Sequence, residues 1–86
     1  MRVRVRLFAS LREAVGRSEV ELELPEGATA DEAWRVLARE YAGLAERRAR
    51  LTAAVNRRYA TFDAILADGD EVVFVPPVSG GSTPAA

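Results

Sequence analysis

Carboxylates are the side chains here best suited to acid–base chemistry, and they crowd two places. Asp68, Asp70 and Glu71 fall within four residues, and Glu19, Glu21 and Glu23 alternate along another segment. Either group could supply a paired acid and base. Each also has a simpler account. An Asp-Gly-Asp run ahead of an apolar segment is expected for the local hydrogen bonding of a turn, and alternating glutamates fit one face of a strand. The remaining inventory is bare. There is no Cys and no His, and all 12 basic residues are Arg. Thiolate nucleophiles, disulfides, imidazole bases, the usual zinc ligands and lysine chemistry are therefore absent together. No glycine-rich loop precedes a helix to cradle phosphate. The side chains point away from an enzyme acting by itself and imply no bound metal.

What remains is backbone. After Val75 the chain reads Pro76-Pro77-Val78-Ser79-Gly80-Gly81 and continues as Ser82-Thr83-Pro84-Ala85-Ala86. Adjacent glycines by themselves fit a flexible linker. They also fit a slim segment that threads a narrow channel in another protein and sets backbone atoms at its reactive centre. Pro76 and Pro77 would hold the base of such an arm extended and reduce the ordering cost of insertion. From Pro76 onward nothing large remains to bury. The expected organisation is thus a folded domain over 1–75 and a tail over 76–86.

The elements that must carry this arm are legible from periodicity. Residues 2–8 and 18–24 alternate apolar and charged, as half-buried strands do. Antiparallel pairing with facing numbers that sum to 25 sets Val3 on Leu22 and Val5 on Val20. The same register sets Arg2, Arg4 and Arg6 on Glu23, Glu21 and Glu19, so both faces are satisfied at once. Between the strands, Ser10 and Glu13 form a capping-box pattern, and Gly16 can close a short helix. Pro25-Glu26-Gly27 predicts a turn.

A second capping box, Thr29 with Glu32, opens a longer helix. Its stripe of Ala30, Ala33, Trp34, Leu37 and Tyr41 has helical spacing, which makes Trp34 a core anchor. Gly43 ends or bends this helix. Leu44–Arg50 fits either a helical turn or a loop, with its arginines as a solvated face. Leu51–Asn56 predicts a third strand, residues 56–59 a turn, and Phe62, Ile65 and Leu66 an irregular stretch. Glu71–Val75 is apolar on both faces and predicts a strand inside a sheet. The sum is α+β: one mixed sheet with a single main helix packed across one face.

At 86 residues, with 49% hydrophobic and 29% charged, the chain suits one ordinary globular domain. No apolar run reaches membrane-spanning length, and the alternating N-terminus lacks the apolar stretch of a secretory signal, so the cytoplasm is the expected compartment. A net charge of -1 without a basic surplus argues against nucleic acid as a partner.

The run AAVNRRYATFDAILADGDEVVFVPPVSGG, from Ala53 to Gly81, together with RLFASLREAVG, from Arg6 to Gly16, closely resembles the ubiquitin-like sulfur carriers that serve as small subunits of molybdopterin synthase. The resemblance implies a β-grasp fold. It also implies that a partner adenylating enzyme of E1 type, using ATP and magnesium, converts a C-terminal glycine carboxylate to an acyl-adenylate, and that a sulfur donor then leaves a thiocarboxylate. The loaded arm would enter the large synthase subunit. Position by position, Gly81 corresponds to the sulfur-bearing residue, Gly80 to the narrowest passage, and Pro76, Pro77, Val78 and Ser79 to the inserted arm.

Phe8, Arg12, Tyr59 and Val75 correspond to the family's partner-facing surface, although Phe8 and Val75 fit core packing almost equally well. Tyr59 and Val75 stand where larger apolar residues are often found, which implies a changed or looser contact. The main departure is Ser82–Ala86, because only a free carboxylate can be adenylated. Cleavage after Gly81, for which a metalloprotease is the expected agent, would restore one. Loss of carrier activity and an engineered tail are the alternatives. Rival readings are a sulfur carrier for thiamine, tRNA thiolation or cysteine synthesis, a β-grasp binding module without carrier chemistry, and a ubiquitin-like modifier of target lysines.

Overall fold

The computed structural model describes residues 1–77. Strand β1 (Arg2–Leu7) leads into helix α1 (Ala9–Val15) and returns as β2 (Glu19–Glu23). Helix α2 (Ala30–Glu40) and a 3₁₀ helix (Ala45–Arg50) follow, then β3 (Thr52–Val55), β4 (Arg58–Ala60) and β5 (Glu71–Val75). The five strands form one sheet in the order β2-β1-β5-β3-β4, with β1 and β5 parallel and the other pairs antiparallel.

The β1–β2 register is the one that satisfies both faces, from Arg2 opposite Glu23 to Arg6 opposite Glu19. Val3, Val5, Leu7, Val20 and Leu22 point inward and are buried. Past the facing Arg2–Glu23 pair, the outward ion pairs run diagonally. Arg2 meets Glu23 at 3.3 Å, but Arg4 reaches Glu19 at 3.7 Å and Arg6 turns to Glu71 on β5 at 3.4 Å. Long guanidinium arms reach past the facing residue to the next one, which costs little on an exposed face.

Helix α2 lies across the inner face. Ala30, Ala33, Trp34 and Leu37 are buried, and Trp34 meets Phe74 of β5 edge-on with ring centroids 5.0 Å apart. Its capping box is complete: Thr29 Oγ1 accepts from the Glu32 amide at 3.2 Å, and Glu32 Oε1 accepts from the Thr29 amide at 2.9 Å. The strand expected inside the sheet is there, since β5 sits third of five with Val72 and Phe74 fully buried.

Three expectations change. Ser10 does not cap α1; Phe8 occupies the cap position in extended conformation, without a side-chain cap. The chain leaves β1 at Leu7 and turns at once through Ala9 at φ 51°, so Ser10 is already inside the helix. Residues 56–59 are not all turn: Asn56 and Arg57 make the turn, at φ 51° and 70°, while Arg58 and Tyr59 begin β4. That is the positive-φ pairing whose twist matches a two-residue hairpin. Finally, the segment after Gly43 is a 3₁₀ helix over Ala45–Arg50 and only partly solvated. Leu44 is buried, and Arg48 bonds Asp31 at 2.7 Å while lying 3.4 Å from the centroid of the Phe62 ring.

Candidate functional site

Because β1 and β5 run parallel with Leu7 beside Phe74, the chain leaves both strands at the same end of the sheet. Phe8 and Val75 follow those two residues. The tail begins there, with Pro76 half-buried and Pro77 exposed. The cross-strand registers then define the sheet face opposite α2. One row across it runs Glu19, Arg6, Val73, Ala54, Tyr59, and the row nearer the tail holds Val75 beside Thr52.

The outer face therefore has two halves. Towards β2 it is a ladder of Arg2, Arg4 and Arg6 with Glu19, Glu21 and Glu23. Towards β4 it is apolar: Val73 and Ala54 are half-buried, and Tyr59 is 81% exposed. Phe8 is 46% exposed, with the Arg6 guanidinium 5.6 Å from its ring centroid. Glu71 sits at the seam between the halves, reached by Arg6 at 3.4 Å and by Arg57 at 4.0 Å.

Phe8, Tyr59 and Val75 thus share a surface, and the core-packing account of Phe8 and Val75 fails, since both lie outside the buried cluster. Arg12 is exposed on α1; among the described residues no hydrogen bond or ion pair joins its side chain to the other three. Val73 and Ala54, which the sequence does not single out, complete the apolar surface. A signal existed for Val73: β5 is apolar on both faces, and only one can belong to the core. Val78, Ser79, Gly80 and Gly81 lie outside the described residues.

At the root of the tail, Pro76 and Pro77 form one wall of a cleft of about 390 Å³. Ser10 and Leu11 of α1, Glu46, Arg47 and Arg50 of the 3₁₀ helix, and Leu51 complete it.

The carboxylates weighed for acid–base chemistry are engaged elsewhere. Asp68 Oδ1 accepts from the Arg2 amide at 2.7 Å. Asp70 accepts from the Ala67 amide and from Asn56 Nδ2, each at 2.8 Å. The group is a turn clasp that ties the start of β5 to β1 and to the β3–β4 hairpin. Asp31 on α2 is held below the usual carboxylate range, chiefly by the hydrogen bond from Arg48, with Arg35 adding to it. It lies on the helical side of the molecule and belongs to its packing.

A mixed five-stranded sheet gripping one main helix defines a ubiquitin-like β-grasp protein. The chain belongs to the ThiS family, whose model matches residues 5–81. It is 40% identical to the molybdopterin synthase sulfur carrier subunit of Escherichia coli, over 92% of this chain and 99% of that one. It superposes on small archaeal modifier protein 1 of Haloferax volcanii with a TM-score of 0.79 at 26% identity, covering 90% of this chain and 98% of that chain. A Helicobacter pylori complex of subunits 1 and 2 of molybdopterin-converting factor matches with a TM-score of 0.65 at 27% identity, over 94% and 100% of the two chains.

Proposed function

We propose that this chain is the sulfur carrier of a molybdopterin synthase, bearing sulfur as a thiocarboxylate on Gly81 once residues 82–86 are removed. The observation that carries the reading is where the likeness stops. The family match ends at Gly81, and the Escherichia coli carrier is covered over 99% of its length. The departure of the tail beside an apolar outer face supports it, since an arm inserted into a partner needs an adjoining surface to dock.

The chemistry asked of the chain is small. A partner enzyme supplies ATP and magnesium; a Gly81 carboxylate oxygen attacks the α-phosphorus and pyrophosphate departs. A sulfur nucleophile then attacks the acyl carbon, and AMP leaves with the bonding electrons. While Ser82 remains attached, the Gly81 carbonyl belongs to an amide, and there is no carboxylate oxygen to activate. Gly80 and Gly81 carry no Cβ and keep the reacting carbonyl accessible in a narrow channel. The body contributes docking through Phe8, Val73, Val75 and Tyr59.

Likeness to an archaeal modifier favours a second reading, in which the same activated terminus passes to lysines of other proteins. The two share activation and differ in acceptor. The test is intact mass after incubating chains 1–81 and 1–86 with the cognate adenylating enzyme, ATP, magnesium and a sulfide source. The expected result is replacement of one oxygen by sulfur in 1–81 only. An unchanged 1–81 chain would sink the carrier reading. Normal molybdoenzyme activity in a deletion strain would instead favour a different acceptor.

A further inference from the structure

An activated acyl terminus is dangerous to the chain that bears it. Any amine or thiolate within reach can attack the Gly81 carbonyl, forming a C–N or C–S bond. The AMP or thiol leaving group departs with its electron pair, and the amine proton passes to water. A tethered nucleophile meets the terminus at an effective concentration of the order of millimolar. Gly81 is the fourth residue after Pro77, and that length of chain spans at most about 13 Å.

The basic side chains that line the cleft with Pro76 and Pro77 are Arg47 and Arg50. Lysines at these positions would carry primary amines to the activated carbonyl. Guanidinium stays protonated and has no lone pair to offer. The pattern extends over the whole sequence: 12 Arg, with no Lys, Cys or His.

The α-amine of Met1 is the primary amine that remains. It donates to the Leu24 carbonyl at 2.8 Å and lies 3.8 Å from Glu23. It also sits at the far end of β1 from the tail, about 20 Å away at the rise of a strand. Serine, threonine and tyrosine hydroxyls are weak nucleophiles unless a base activates them, and the chain has no imidazole to do so.

We propose that this chain is built to be inert toward its own activated terminus, so that the Gly81 acyl group passes only to a nucleophile supplied by another molecule. The inference rests on Gly81 being the carrier residue, but its test needs no activating enzyme, so failed enzymatic loading would count against the carrier reading alone. Residues 1–81 are joined to an intein and released by a small thiol as the Gly81 thioester. Every core residue lies between Val3 and Phe74, so ending at Gly81 removes none of the core.

Followed by intact mass at mildly alkaline pH, the native sequence is expected to hydrolyse slowly to the free acid and nothing else, while added free lysine still consumes the thioester. Arg50→Lys, and Arg47→Lys with Arg50→Lys, are expected to lose thioester roughly tenfold faster. Their product is an internal amide one water lighter than the acid, or a covalent dimer. Both substitutions keep charge and exposure, and circular dichroism checks the fold. Lysine variants as clean as the native chain would overturn the proposal, as would spontaneous internal amide or dimer formation by the native chain.

Discussion

Arg48 shows how far one residue's role can depart from its local context. In sequence it is the middle of a charged cluster, and nothing within a helical turn of it suggests a partner. In the fold it donates to Asp31, 17 positions earlier, and lies against Phe62. Its hydrogen bond, with Arg35 at 3.0 Å, lowers the Asp31 pKa, so the folded state favours the charged carboxylate. A carboxylate depressed on folding stabilises fully above its unfolded value near pH 4, and that stabilisation fades as pH falls through the folded value. Asp31→Asn also removes a charge from the first turn of α2, where the helix dipole favours it. The expected loss is about 1 kcal/mol at pH 7 and smaller at an acid pH below the depressed folded value. Urea unfolding at the two pH values measures it, and an equal loss at both would refute the assignment. Trp34 was legible where Arg48 was not, because a helical stripe repeats every few residues whereas a long-range ion pair leaves no local pattern.

Elements were legible to the extent that they repeat. The β1–β2 register follows from two alternating segments with complementary charges, and α2 from a capping box followed by an apolar stripe. β4 escaped because it has three residues and one inward alternation, and because its turn is Asn56-Arg57 instead of the usual Asn-Gly. That turn makes opposite predictions for its two residues. Arg57 sits at φ 70° with its side chain 85% exposed, 4.0 Å from Glu71, so its ion pair contributes little. Arg57→Gly relieves a left-handed conformation and is expected to raise the melting temperature by about 2–4 °C. Asn56 has a similar φ, but its side chain donates to Asp70 at 2.8 Å and accepts from the Glu71 amide at 3.0 Å. Asn56→Gly gives the same backbone relief and loses both bonds, which pin the hairpin to the start of β5. It is expected to lower the midpoint. Thermal melts of the pair read both signs, and a shift in the same direction for both would contradict this account of the turn.

At the scale of the molecule, the sheet has an inner face that makes the fold and an outer face that does not need to be apolar. Its charged half satisfies itself through the arginine and glutamate ladder, whereas its other half leaves Phe8, Val73, Ala54, Val75 and Tyr59 without such partners. The sequence disclosed Phe8, Tyr59 and Val75 only through family resemblance. Deciding that Val73 joins them required knowing which side of β5 faces α2, a property of the whole sheet. The apolar half should therefore matter to association far more than to stability. Phe8→Ser and Tyr59→Ser remove exposed rings that lie outside the buried core, so each is expected to shift unfolding by less than about 0.5 kcal/mol. If this face docks the large synthase subunit, aromatic anchors beside the inserted arm are where binding energy concentrates, and the double variant is expected to weaken the complex by about 2–4 kcal/mol. Glu21→Ser, on the charged half, serves as the control and should leave affinity within about 0.5 kcal/mol. Calorimetric titration of the large subunit against the three proteins, each checked by its melt, separates the halves of the face. Equal affinity for the double variant and the parent would show that the arm alone carries recognition, and an affinity loss matched by a falling melting temperature would mean that the aromatics serve the fold after all.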